Sequence, residues 1–231
     1  MKRGGWLLVL SLSCLAVEAA AARVWIVGDS IVRETSFALR KTLESANVPA
    51  DSFISLGSGL TRPDLFDWHA KLRDIVTNSR PELVVVMMGA SDIQDMKGNG
   101  QLLSRGTPAW DAEYARRLDG ALEILAGGGV RQVFWVGLPD MRDAELNQFA
   151  HDLNGIIKTR VAARSFARFF DSASLLSKQP GQFSAYLPGP DGMPILARST
   201  DGKHLSLQGG AILAQAIWTE IKPLLEKAVK P

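Results

Sequence analysis

An aspartate three residues before a histidine, Asp201-Gly202-Lys203-His204, is the spacing with the clearest chemical meaning in this sequence. On a turn, the carboxylate can accept from one ring nitrogen while the other faces outward, which is the base-and-orienter half of a nucleophilic triad. Two serines could supply the hydroxyl: Ser30 in Gly28-Asp29-Ser30, and Ser91 in Gly89-Ala90-Ser91-Asp92. Each follows a short apolar run, so each would stand where a strand ends. A serine that opens a helix also gains backbone NH groups and the positive end of the helix dipole, which stabilise a negatively charged oxygen. Taken singly, each segment also fits a plainer role. Asp29 and Ser30 suit a turn and a cap, and His204 suits a loop histidine held by its own aspartate. The remaining histidines, His69 and His151, lack an acid at this spacing beside a helix start and read as surface or packing residues. Scattered histidines without neighbouring cysteines give no zinc pattern, so neither a metal nor a cofactor is expected. Neither serine has glycine two residues later, which argues against the strained elbow of α/β-hydrolases.

Short apolar segments rich in β-branched and aromatic residues predict buried parallel strands at 24–27, 83–88, 132–136 and 167–170, with a weaker one at 53–56. Amphipathic periodicity predicts helices over 31–46, 108–126, 146–164 and 207–227. The helix at 108 has Thr107 as its N-cap and Pro108 at its first position, and it stops at Gly127-Gly128-Gly129. Strands alternating with helices require right-handed crossovers, so the expected fold is a three-layer α/β/α sandwich on a mostly parallel sheet. Such sheets bind ligands at the carboxyl ends of their strands, which is where both serines fall. Residues 96–107, and 178–200 with four prolines and three glycines, read as long surface loops that could rim a site.

The chain of 231 residues opens with the parts of an export signal: Lys2 and Arg3, an apolar run from Trp6 to Val17, and small residues from Ala19 to Ala22. That run is shorter than the ~20 residues needed to cross a hydrocarbon core, so residues 1–22 are expected to be a removable signal rather than an anchor. Residues 23–231 would then form one domain in the periplasm or outside the cell, with no stable membrane insertion. The only cysteine, Cys14, lies inside the signal, so the mature chain needs no disulfide. With 46% hydrophobic and 22% charged residues, disorder is not expected. A formal charge of +2, smaller by one once Lys2, Arg3 and Glu18 are removed, gives no electrostatic footprint for nucleic acid.

Four blocks in order resemble the SGNH (GDSL) hydrolase family, and two further stretches, Gly59 to Trp68 and Val136 to Arg142, resemble an exported bacterial branch of it. Gly28-Asp29-Ser30 is similar to the block with the nucleophile, and Ser58-Gly59-Leu60 to the block whose glycine NH serves the oxyanion hole. Gly89-Ala90-Ser91-Asp92 falls where the family has Gly-x-Asn-Asp, and Asp201-Gly202-Lys203-His204 matches Asp-x-x-His. The resemblance implies Ser30 as nucleophile, His204 as base, Asp201 as its orienter, and Ser30, Gly59 and Ser91 around the oxyanion. One departure is chemical: the family's asparagine donor is Ser91 here, shorter by one bond, about 1.5 Å. Asp29, Arg62, Asp92 and Arg142 are further candidates for substrate binding, the two arginines for an anionic or polyhydroxylated substrate. The resemblance implies an ester-cleaving enzyme acting through an acyl-serine, foremost an O-acetylesterase on envelope or extracellular carbohydrate. An O-acetyltransferase on the same substrates, a lipid or acyl esterase with an apolar groove formed by residues 179–196, and a weakened polysaccharide-binding member are the alternatives.

Overall fold

The computed structural model describes residues 23–228, so the export signal read at 1–22 lies outside the described residues. In chain order the elements are β1 (Val24–Gly28), a 3-10 turn (Ser30–Val32), α1 (Arg33–Ser45), β2 (Ala50–Ile54), α2 (Trp68–Ser79), β3 (Leu83–Met87), a hairpin of β4 (Met96–Gly98) and β5 (Gln101–Leu103), and α3 (Pro108–Gly127). There follow β6 (Gln132–Val136), α4 (Ala144–Ala162), β7 (Ala167–Phe170), the single turn α5 (Ser172–Leu175), a hairpin of β8 (Tyr186–Pro188) and β9 (Pro194–Leu196), and α6 (Leu207–Ala228).

The main sheet has the order β2-β1-β3-β6-β7 with every pair parallel. Its central strand, Leu-Val-Val-Val-Met in β3, is buried at all positions, as a strand covered on both faces must be. Each such side chain contributes about 1.5–3 kcal/mol of burial. Helices α1 and α6 pack together as one layer, and α2, α3 and α4 as the other. This is the expected α/β/α sandwich, with the flavodoxin-like strand order. The chain leaves β1 for β2 on one side and returns to β3 on the other, which makes the gap above β1 and β3 the topological switch point. Ser30 and Ser91 follow those two strands.

The helix start at 107–108 is as the sequence dictates: the Thr107 side chain accepts from the Trp110 NH, and Pro108 opens α3. The differences have local causes. The weak strand is found at Ala50–Ile54, because Val24 to Gly28 fix its register from the neighbouring strand rather than by its own Ala-Asp-Ser-Phe-Ile sequence. Asp67 caps the unforeseen helix α2 by accepting from Ala70 NH. The expected helix at 31–46 starts as the 3-10 turn and becomes α-helical at Arg33. Both long loops contain small hairpins. No described helix is long and apolar enough to cross a membrane.

Candidate active site

The site is built where β1 stops. The Gly28 backbone presses on β3 so closely that a Cβ would stand 1.8 Å from the Met87 carbonyl oxygen, so only glycine fits. Asp29, 0% exposed, then ties the two strand ends together. Its Oδ1 accepts from Ile31 NH at 2.9 Å, and its Oδ2 from Gly89 NH at 2.9 Å and Ala90 NH at 3.0 Å. Burial pushes its carboxyl up to about 6, against the pull of the Ile31 and Gly89 amides. Asp92, also 0% exposed, does the same for the next loop. It accepts from the NH groups of Leu60 and Thr61, from the Thr61 hydroxyl at 2.6 Å and from the Tyr114 hydroxyl at 3.0 Å. Asp29 and Asp92 are therefore not substrate ligands, contrary to the expectation from sequence. Both are sealed from solvent with their oxygens already hydrogen-bonded, and they set the geometry of the loops above the sheet.

The Asp92 carboxylate also explains Gly59. A Cβ on Gly59 would lie 2.1 Å from Asp92 Oδ1, so the loop after β2 can lie against the turn after β3 only with glycine there. The Leu60 and Thr61 amides bond Asp92, and the Ile31 amide bonds Asp29. The amides of Gly59 and Ser30 are not spent on either carboxylate.

Ser30 and His204 lie 174 positions apart in the chain, yet His204 Nε2 is 2.8 Å from Ser30 Oγ. On the other side of the ring, Nδ1 is 2.6 Å from Asp201 Oδ2, while Asp201 Oδ1 accepts from the NH groups of Lys203 and His204 at 2.8 and 2.9 Å. Partial burial would raise the Asp201 pKa, but the His204 ring and these two amides outweigh it and hold the carboxyl at about 2. The carboxylate thus stays charged and fixes the ring with Nδ1 as donor, leaving Nε2 able to accept from the serine hydroxyl. Ser91 is half-buried after β3, and the imidazole pairs with Ser30 rather than with it.

Residues that the sequence reading passed over hold the histidine loop in place. Arg198, 1% exposed, donates to the Lys203 carbonyl at 2.7 Å, the His204 carbonyl at 3.4 Å and, in a shorter contact, the Asp140 carbonyl. Burial pushes its guanidinium down to about 10, opposed by Asp140 and Asp201. Asp140 is buried and joins His151 Nε2 at 2.6 Å and the Ser177 hydroxyl. Arg142, a candidate substrate ligand from sequence, braces the same loop: its Nη1 donates to Thr200 O at 2.8 Å and its backbone NH to Gly202 O at 3.0 Å. Phe183 packs with the guanidinium groups of Arg142 and Arg198 centred 5.0 Å from its ring. Arg62, the other candidate, is committed to Asp64 through two hydrogen bonds of 2.8 and 2.7 Å. Gln94 bridges the loops above β2 and β3 by donating to the Thr61 hydroxyl and the Ser91 carbonyl, both at 3.1 Å. A polar residue just after the Gly89–Asp92 block was the available sequence signal for it.

The fold is that of the SGNH hydrolases. The chain is similar to a protein from Slackia heliotrinireducens described as a candidate SGNH hydrolase, with TM-score 0.57 and 16% identity over 85% of this chain and 97% of that one. It is similar to the periplasmic domain of the lipopolysaccharide acetyltransferase of Salmonella ser. Paratyphi A, with TM-score 0.60 and 11% identity over 87% and 84% of the two chains. It is also similar to the C-terminal catalytic domain of peptidoglycan O-acetyltransferase A of Streptococcus pneumoniae, with TM-score 0.55 and 13% identity over 88% and 94%. A comparison with curated proteins finds no match. Residues 23–220 match the DUF459 family, described as a protein of unknown function, and the chain belongs to that family.

Proposed function

We propose that the protein is an exported serine esterase that removes short acyl groups, foremost acetyl, from carbohydrate of the cell envelope or its surroundings. The observation that carries this reading is the unbroken relay from Asp201 Oδ2 through His204 to Ser30 Oγ, with spacings of 2.6 and 2.8 Å. His204 Nε2 takes the proton of Ser30 as Oγ forms a bond to the acyl carbon. The carbonyl oxygen becomes negative against the Ser30 and Gly59 amides and the Ser91 hydroxyl. The carbon–oxygen bond to the sugar then breaks, and the leaving alkoxide receives the proton from His204. Water attacks the acyl-serine in turn, giving its proton to His204; the carbon–Oγ bond then breaks, His204 Nε2 returns that proton to Ser30 Oγ, and the carboxylic acid leaves.

A second reading, transfer of the acyl group to a sugar hydroxyl, is favoured by the two acetyltransferases among the similar folds. It differs only in which acceptor reaches the acyl-serine. The long-chain lipid reading has less support. The apolar cavity beside the 178–200 segment is lined by Leu175, Leu187, Ile195 and Ile212 and by none of Ser30, Asp201 and His204, and Phe183 is engaged between two arginines.

The experiment compares hydrolysis of p-nitrophenyl acetate and p-nitrophenyl octanoate by the wild type and by Ser30→Ala. Acetate should be preferred, and Ser30→Ala should lose roughly 10³-fold or more in kcat. Equal rates for the two proteins would overturn the enzymatic reading, and octanoate preference would overturn the short-acyl one. An O-acetylated oligosaccharide donor offered with a second sugar as acceptor distinguishes hydrolysis from transfer by product mass.

A further inference from the structure

Helix α1 carries Arg33, Phe37, Arg40, Lys41 and Glu44 at intervals that place them along one side of the helix. Across from them, Ala50, Ser52 and Ile54 are alternate residues of β2 and so share one face of the edge strand. Together these residues line a groove of about 790 Å³. Phe37 is 70% exposed in it, although phenylalanine is among the residues most often buried. Arg33 touches the adjacent Glu34 at 2.9 Å, whereas Arg40 and Lys41 make no ion pair among the described residues. Glu44, at the far end, is the one carboxylate in the lining.

The groove has a direction. Its upper end is marked by Ile54, which pairs with Gly28, and by Arg33, three residues after Ser30. From there it descends along α1 for ~16 Å, the rise of eleven residues. It therefore opens at the carboxyl edge of the sheet, the edge that carries Ser30, although Ser30 and His204 are not in its lining, and leads away from that edge with cations along its length and an aromatic side chain between them.

We propose that this groove is a subsite for a carboxylate-bearing glycan strand, held with its acylated sugar at Ser30 and its anionic continuation along α1. The assignment rests on the esterase reading for the direction of the strand, but its chemistry comes from the groove itself. Phe37 offers an apolar face to the CH face of a sugar ring. Arg40 and Lys41 are free to pair with carboxylates, and their exposure makes the interaction salt-sensitive. A strand bound this way would raise the local concentration of its acyl groups at the serine without touching the reacting atoms.

The test uses the full-length protein with two acetylated polymers, O-acetylated polygalacturonate as the anionic one and O-acetylated dextran as the neutral one. The wild type should favour the anionic polymer in kcat/KM at least tenfold at 50 mM NaCl, and the preference should fade at 500 mM. In Arg40→Ala/Lys41→Ala the anionic-to-neutral ratio should fall at least tenfold, and Phe37→Ala should weaken both polymers. No preference in the wild type, or a ratio unmoved in the double variant, overturns the proposal. Retardation of the Ser30→Ala protein on gels containing unacetylated polygalacturonate reads the groove without chemistry. Salt-sensitive retardation that Arg40→Ala/Lys41→Ala abolishes upholds the subsite even where no ester is cleaved, and no retardation rejects it whatever the esterase result. Binding to phosphatidylglycerol vesicles but not to polygalacturonate would likewise reject it in favour of a lipid surface.

Discussion

Arg198 donates to the carbonyl of Lys203 at 2.7 Å, one residue before the imidazole that faces Ser30. Its planar fork spans the Lys203 and Asp140 carbonyls, so it connects the loop after β6 to the turn that carries His204. Lysine cannot reproduce a fork with a single ammonium. Arg198→Lys is expected to lower kcat for p-nitrophenyl acetate roughly 10–100-fold, the range that a displaced catalytic group costs. KM should stay within about twofold, since Arg198 has no route to the substrate from its buried position. Arg198→Met should additionally lower the melting temperature, because it leaves buried carbonyls unpaired. A changed KM with full kcat would reject the positioning role.

Asp29 gives the protein a pH dependence of stability that is opposite in sign to that of a salt-bridged carboxylate. Its folded-state pKa, pushed to about 6 by burial, lies above the ordinary 3.8. The folded protein therefore holds a proton here that the unfolded chain releases. The contribution is fully present below the unfolded pKa and is lost as pH rises through about 6. Between pH 4 and pH 7 the loss amounts to about 2 kcal/mol at this site. Asp29→Asn cannot titrate. Urea unfolding of both proteins across that range should show the wild type losing stability relative to the variant as pH rises. A difference that is flat, or that grows in favour of the wild type, would contradict this account.

How far these features could be read from sequence depends on whether the signal was local. The strands β1, β3, β6 and β7 were legible because each is an apolar run with its own boundaries, and α3 because Thr107 and Pro108 write its start. β2 was misplaced because its register comes from pairing with Val24–Gly28, which a single segment does not encode. The Ser30–His204 approach was accessible because Asp201 marks the histidine at short range and the resemblance of the four blocks singles out Ser30 over Ser91. Asp29 and Asp92 were misread as substrate ligands because a carboxylate after a strand has the same local sequence whether it faces solvent or accepts buried amides. Arg198 was missed for the converse reason. Nothing within a few residues distinguishes a buried arginine that holds carbonyls from an exposed one.

Gly59 should tolerate no side chain. Alanine would place Cβ 2.1 Å from Asp92 Oδ1, so either the carboxylate must move off the Thr61 amide or the 59–61 backbone must retreat. Overpacking of this kind costs about 1–3 kcal/mol. If the Gly59 amide also faces the oxyanion, its displacement should lower kcat roughly 10²–10³-fold. Gly57→Ala is the comparison two residues away, with φ of +68° but nothing within 4 Å of the added methyl. It should cost a little stability through backbone strain and leave kcat near that of the wild type. Equal kcat losses in the two variants would mean that general loosening of the loop, and not the amide of residue 59, is responsible.

Ser91 stands where the resembled family carries an asparagine, and Gln94 already holds its carbonyl at 3.1 Å. The backbone of this turn is fixed further by the Gly89 and Ala90 amides on Asp29, so the loop cannot easily move a short side chain closer to the oxyanion. In the proposed oxyanion role, a hydroxyl donor ending about 1.5 Å short of the amide it replaces would deliver only part of the stabilisation worth roughly 10²–10³-fold in rate. Ser91→Asn is accordingly expected to raise kcat for p-nitrophenyl acetate by ~10-fold or more with KM little changed, because the gain arises in the transition state. Ser91→Ala should lower kcat only modestly, in line with a weak donor. An unchanged or lower kcat in Ser91→Asn, together with a large loss in Ser91→Ala, would show that the serine hydroxyl is already well placed and that the site has adapted to the shorter donor.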